Sequence, residues 1–303
     1  MTAHLKSEER GALSGPSKPM TIEKEKFIPS VGIIAALVSP ELESFWSALE
    51  SQGWTRKKVS PKLRDASIDQ WTKRTGDTDA IIHTGVIGEK GQATAAVETI
   101  AFLERCQPTN VILCGIAGSL NRTKYPKREV VVGSSVHWKF QDKIEDNGGH
   151  CEDGSPCFKY RPGGRNTNYL DADLSKRLER RIGELFKPSE MQRGYSVHYD
   201  AIFSWDYVAS GDQVTKRILS QGHNVACVEM EAGGFLYSLH RYAKISGRRN
   251  IKGFVVRGIS DYAELKDNNS TDRYAASGNA AWVSVRLAQD MFDPNGLDLM
   301  SMS

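Results

Sequence analysis

The chain has 303 residues, 39% of them hydrophobic and 25% charged, with a formal net charge of +3. That suits one large soluble α/β domain. The charge is too slight to mark a nucleic-acid-binding surface, and no apolar run reaches the ~20 residues of a membrane span. The five cysteines are odd in number and irregularly spaced, which predicts a reduced, cytoplasmic chain without a disulfide framework.

Residues 1–28 are polar, rich in Ser, Gly, Lys and Glu, and lack periodicity. They are expected to form a disordered or loosely docked arm, leaving 29–303 as the domain. Val31–Leu37 reads as a buried strand. A helix then starts at Ser39 or Pro40, with Leu42, Phe45, Trp46 and Leu49 at helical spacing. Glu41 and Glu43 stand in its first turn, where acidic groups also suit the helix dipole.

Asp79–Thr84 reads as the next strand, entering a turn with Gly85, Gly88, Lys90 and Gly91. This turn is neither GxGxxG nor a P-loop, so no dinucleotide or NTPase fingerprint is present. The helix after it is expected to bury Ala96, Val97, Ile100 and Leu103. Asn110–Ser119 is a buried strand ending in Gly115, Ala117 and Gly118, small residues that let a ligand approach the backbone.

A strand is expected at Glu129–Gly133. Residues 137–168, with scattered Gly and Pro, read as a long irregular loop. Cys151 and Cys157 lie there beside His150, but their spacing does not make a zinc hook, and neither metal nor cofactor is expected. Helix follows over about 171–186, then strands at Val197–Phe203 and Tyr207–Ser210, and a turn at Ser210-Gly211-Asp212.

Val225–Val228 is a short apolar run ending in Glu229-Met230-Glu231. A helix pattern follows, with Phe235, Leu236, Leu239 and Tyr242 on one face. The two glutamates thus sit where a strand becomes a helix, the place where open α/β sheets bind ligands. A carboxylate at that depth needs a partner: a basic side chain or a sugar diol. The strand Gly253–Ile259 ends at Ser260-Asp261, and a last helix spans about 271–292. Alternating strands and helices predict an α/β sandwich with a largely parallel or mixed sheet. If the strands ending at 119, 231 and 261 lie side by side, Gly118, Glu231 and Asp261 converge on one pocket.

Four of these corners, in this order, resemble the purine nucleoside phosphorylase and nucleosidase superfamily. They are Gly115-Ile116-Ala117-Gly118, Ser210-Gly211-Asp212, Val228-Glu229-Met230-Glu231-Ala232 and Arg257-Gly258-Ile259-Ser260-Asp261. The likeness covers about residues 30–293 and is greatest to methylthioadenosine/S-adenosylhomocysteine nucleosidase-like domains. It implies a three-layer sandwich with a mixed central sheet flanked by helices.

The resemblance also implies cleavage of the N-glycosidic bond of a purine nucleoside or nucleotide, in a homo-oligomer. Glu231 would bind the ribose hydroxyls, with Glu229 beside it, and Met230 would pack under the sugar. Asp261 would protonate the base, with Ala117, Gly118 and Ser260 around it. Val214 falls where nucleosidases carry an aromatic residue against adenine, so Tyr207, Trp205 or a residue of 137–168 is expected to replace that contact.

The chemistry asks for these types. The departing base needs a proton, and the oxocarbenium-like sugar needs nearby negative charge. Hydrolysis needs a further carboxylate to activate water: Glu41, with Glu43 as the fallback. Phosphorolysis is the alternative reaction, but Ala35–Glu43 holds no basic residue for a phosphate. Two further functions fit the same residues: a nucleotide-sensing module without turnover, and a defence-type enzyme that depletes nucleotides. Arg122, Lys124, Arg161 and Arg165 are the basic residues considered for a phosphate tail.

Overall fold

The computed structural model describes residues 30–57, 68–75, 78–138, 141–150, 156–163, 172–187, 194–220, 224–247, 251–265, 269–293 and 296–297, with the backbone alone over 141–150 and 156–163. The N-terminal arm, Cys151 and Arg165 lie outside these residues, as do the side chains of Cys157 and Arg161.

Eleven strands and six α-helices are described. In chain order they are β1 (Ser30–Ala35), α1 (Glu43–Ser51), β2 (Thr55–Lys57), β3 (Asp69–Thr75), β4 (Thr78–Val86), α2 (Gln92–Cys106), β5 (Asn110–Ser119), β6 (Val130–Trp138), β7 (Gln141–His150), β8 (Pro156–Gly163) and α3 (Ala172–Leu185). Then come β9 (Val197–Ser204), α4 (Asp212–Ser220), β10 (Val225–Glu229), α5 (Ala232–Ser246), β11 (Lys252–Tyr262) and α6 (Ser270–Asp290).

Nine strands form one mixed sheet in the order β10-β9-β6-β11-β5-β1-β4-β3-β2. β1 runs parallel to both β4 and β5, and β11 runs parallel to β5. β10 pairs parallel with β9 and antiparallel with β5. Strands β5, β11, β6, β9 and β10 therefore close on themselves, while β1, β4, β3 and β2 extend outward from β5.

Alternate residues of each central strand serve opposite faces, and both faces are covered. Ile33, Ile112, Val132, Phe254 and Val256 meet Phe45 and Leu49 of α1, Leu178 of α3 and Ala280 to Leu287 of α6. Ile34, Leu113, Val131 and Val255 meet Phe102 of α2 and Phe235, Leu236 and Leu239 of α5. Burial on both faces is why these strands read as continuous apolar runs. The result is the expected three-layer sandwich.

Three local expectations are corrected, and one helix is added. Tyr207–Ser210 is not a strand; the chain bends there after β9. The segment 137–168 carries an antiparallel hairpin, β7–β8, with Gln141 opposite Gly163. A helix, α4, follows the Ser210-Gly211-Asp212 turn. In α2 the buried face is Gln92, Ala95, Thr99, Phe102 and Leu103, whereas Val97 is 64% and Ile100 40% exposed.

The phase of α2 has a packing cause. α2 and α5 approach backbone to backbone, so the contact is made by small residues. A Cβ on Gly234 would lie 2.0 Å from the carbonyl oxygen of Gln92. Gly234→Ala is expected to destabilise the protein by about 1–3 kcal/mol, because two helices must separate. This outweighs the ~1 kcal/mol helix preference of alanine. Urea denaturation reads it, and an equal or higher midpoint would contradict the close approach.

Candidate active site

The ends of β1, β5, β10 and β11 enclose an open cavity of about 740 Å³, counted out to the solvent at its mouth. Of the nine site residues expected from sequence, eight line it: Glu41, Ala117, Gly118, Glu229, Met230, Glu231, Ser260 and Asp261. Their convergence follows from strand order, since β11 and β10 both pair with β5.

The floor is organised by a residue to which the sequence reading gave no role. Arg257, on β11, is fully buried. Its Nη2 donates to Glu229 Oε2, and to Glu231 Oε2 at 3.2 Å. A Cβ on Gly115 would lie 2.2 Å from Arg257 Nη1 and 2.8 Å from Glu41 Oε1. The guanidinium and a third carboxylate therefore meet over bare backbone, which only glycine leaves open. Burial alone would lower the pKa of Arg257, but Glu229, Glu231 and Glu41 hold it above its ordinary value.

The three carboxylates are not equivalent. Glu229 also accepts from the N–H groups of Glu231 at 3.0 Å and Ala232 at 2.9 Å, so it satisfies backbone donors at the start of α5. With those bonds and Arg257 it is structurally committed. Glu231 accepts from Gly91 N–H at 3.4 Å and shares Arg257. Burial, opposed by Arg257 and reinforced by Glu229 and Glu41, pushes Glu231 up to about 7. Glu41 accepts from Leu37 N–H at 2.8 Å and Ile116 N–H at 3.0 Å. Burial raises it also, against Arg257 and those N–H groups.

At the other end, Asp261 accepts from Ser260 Oγ at 2.8 Å and pairs in register with Gly118. It is half-buried. Tyr207 lines the cavity at its mouth, 64% exposed, with its ring centroid 5.2 Å from that of Trp205. Val214 does not line the cavity. It packs on α4 against the cluster of Leu120, Phe203, Ile218 and Val228. Glu43 is exposed and accepts from Ser39 Oγ at 2.8 Å, away from the cavity.

Arg122 pairs with Glu264 at 3.5 Å and Lys124 with Asp200 at 3.0 Å, and neither lines the cavity. Two other cations do: Lys90 and Arg273.

A second buried network fixes the helix starts around Glu231. Gln92 Oε1 accepts from Gly234 N–H at 2.5 Å, and its Nε2 donates to Ser204 Oγ at 2.6 Å. Ser204 Oγ in turn accepts from Gly233 N–H at 3.0 Å. Neither Gln92 nor Ser204 carries a sequence signal of this role, because its partners are distant in the chain. Among the described residues, no group of His, Cys, Asp and Glu is placed to hold a metal ion, and no helix is long and apolar enough to cross a membrane.

The methylthioadenosine/S-adenosylhomocysteine nucleosidase of Haemophilus influenzae is 26% identical over 264 residues, covering 87% of this chain and 98% of the relative. Among solved structures, the Colwellia psychrerythraea methylthioadenosine/S-adenosylhomocysteine nucleosidase in complex with adenine superposes with a TM-score of 0.58 at 17% identity, covering 87% of this chain and 96% of that one. The futalosine hydrolase of Helicobacter pylori gives 0.56 at 16% identity, covering 86% and 98%. At these identities the structural likenesses concern the fold alone. The phosphorylase superfamily profile matches residues 32–289, a span that contains every corner of the cavity, and the chain belongs to that superfamily.

Proposed function

We propose that the protein is a purine nucleosidase that hydrolyses the N-glycosidic bond to free base and sugar. The observation that carries this reading is the cluster of Glu41, Glu229 and Glu231 around the buried Arg257, with Asp261 across the same cavity. The nucleosidase relatives named above support the same reaction class.

In this reading the base lies against Asp261 and Gly118, and Tyr207 takes the stacking contact that Val214 does not provide. Glu231 accepts from the ribose hydroxyls, and Met230 packs beneath the sugar. As the C1′–N9 bond breaks, Asp261 gives its proton to N7 of the base, and positive charge gathers on the sugar. Glu231 stabilises that charge. Glu41, its proton affinity raised by burial, takes a proton from the water that adds to C1′. Water and nucleoside become sugar and base, with atoms and charge balanced.

Hydrolysis suits the floor better than phosphorolysis. Arg257 is the deep cation, and its charge is already matched by carboxylates. A phosphate dianion beside Glu41 and Glu231 would meet like charge.

Chromatography of released base tests this directly, using adenosine, inosine and methylthioadenosine, each with and without inorganic phosphate. Base release without phosphate is the expected result. Release only with phosphate would overturn hydrolysis, and no release from any substrate would favour a binding module.

Glu231 gives a pH prediction. Its ionised form is the one that stabilises the sugar cation. Among Glu41, Glu229 and Arg257, which face it, only the last favours that form. Activity, read as kcat/KM, should therefore fall as pH drops through about 7. Glu231→Gln should lower kcat/KM by about 10²-fold, the order lost with one electrostatic contact at a transition state, and flatten this limb. A full-activity variant with the same pH profile would remove Glu231 from the sugar site. The raised pKa also means that the folded protein holds a proton the unfolded chain releases. Stability should then decline as pH rises from the ordinary glutamate value to about 7.

A further inference from the structure

Resting on the nucleosidase reading, we propose that Lys90 and Arg273 form an anion subsite that takes the 5′-phosphate of a purine nucleotide. Both side chains line the cavity, Lys90 exposed at the rim and Arg273 half-buried. Among the described residues neither makes an ion pair, whereas Arg122 and Lys124 outside the cavity are both paired. The cavity holds four carboxylates, Glu41, Glu229, Glu231 and Asp261, yet neither cation is bound to them. An uncharged nucleoside has no use for two unpaired cations at this rim. A phosphate monoester matches them in charge and in hydrogen-bond acceptors.

Their place along the cavity is what assigns them to the 5′ end. Ile87 N–H donates to the carbonyl of Ala35 at 2.8 Å and Gly88 N–H to that of Ala36 at 3.0 Å. These bonds lay the β4–α2 turn along the end of β1. Lys90 is on that turn, next to Gly91, whose N–H contacts Glu231. Arg273 comes from the first turn of α6, on the other side of the β1 corner. There Tyr274 Oη lies 3.1 Å from Ser39 Oγ, and Ser277 Oγ donates to the carbonyl of Pro40 at 3.3 Å. Asp261 and Gly118 stand at the ends of β11 and β5, across β1 from the β4–α2 turn in the sheet order. A purine against Asp261 and a diol against Glu231 direct the sugar's 5′ carbon between the two cations.

Free phosphate has the same chemistry, so the experiment separates the two sources. AMP and adenosine are the probes, with and without added inorganic phosphate, for wild type, Lys90→Ala, Arg273→Ala and the double variant. The readout is the ratio of kcat/KM for AMP to that for adenosine. Wild type should favour AMP about tenfold or more without added phosphate, as a charge-assisted pair of contacts allows. Each single variant should lower the ratio several-fold, and the double variant should erase it. Arg273→Lys and Lys90→Arg should restore part of it.

A ratio unmoved by the double variant would overturn the subsite. So would stimulation of adenosine cleavage by free phosphate that disappears in the variants. Calorimetry with the Asp261→Asn protein gives a second readout, the Kd of AMP against adenosine. If neither probe releases base, hydrolysis fails while the Kd ratio still decides the subsite. Equal Kd values in that case would overturn it as well.

Discussion

Replacing Arg257 with methionine is expected to lower stability by about 3–5 kcal/mol, the cost of removing one partner from a buried ion cluster. The side chain is fully buried and bridges Glu229 and Glu231, with Glu41 close by over Gly115. Without it, three buried carboxylates face one another with no positive charge. The loss should grow with pH, since protonation of Glu231 and Glu41 relieves the repulsion at low pH and ionisation restores it. Arg257→Lys should recover little, because a point charge cannot span two carboxylates as a planar fork does. Chemical denaturation at acid and alkaline pH reads the effect. A loss below about 1 kcal/mol at both would show that the cluster is not held by this cation.

Asp261→Asn is expected to reduce kcat by about 10²–10⁴-fold with the fold intact, the range for loss of a positioned general acid. Asparagine has the same shape, and its amide can keep the contact with Ser260 and with the base. It cannot supply the proton that the leaving base needs. The change should therefore fall on kcat more than on KM. Single-turnover base release measures it, with circular dichroism as the check on folding. A variant within about threefold of wild type would move the acid elsewhere in the cavity.

The corners of the site were legible because each binds chemistry to a local pattern. Glycine and alanine at the end of β5, two glutamates at the end of β10, and Ser260-Asp261 at the end of β11 all mark sharp transitions from apolar runs. What joins them was not legible. Arg257 appears in sequence as one polar residue within an apolar strand, and nothing local says that its partners are on β10 and before α1. The phase of α2 departs from its hydrophobic pattern for a related reason. Val97 and Ile100 carry the hydrophobicity, but the packed face is set at its start by the glycines of α5, whose lack of side chain admits Gln92. The β7–β8 hairpin was hidden by its Gly, Pro and mixed charge, which resemble a loop. The resemblance sets Val214 at the position of an aromatic residue against the base. The helix that follows the Ser210-Gly211-Asp212 turn instead directs Val214 into the small cluster behind it.

The closure of β5, β11, β6, β9 and β10 also bears on how the protein behaves when concentrated. A strand at the end of a sheet is a template for another chain, and long flat ends promote aggregation. Because β10 is bonded on both sides, to β9 and to β5, the large sheet has no open end there. Among the described residues its other end is β2, three residues long, with Arg56 and Lys57 exposed on it. Among the described residues the last strand of this nine-stranded sheet is thus short and cationic, which guards against intermolecular strand pairing at that end.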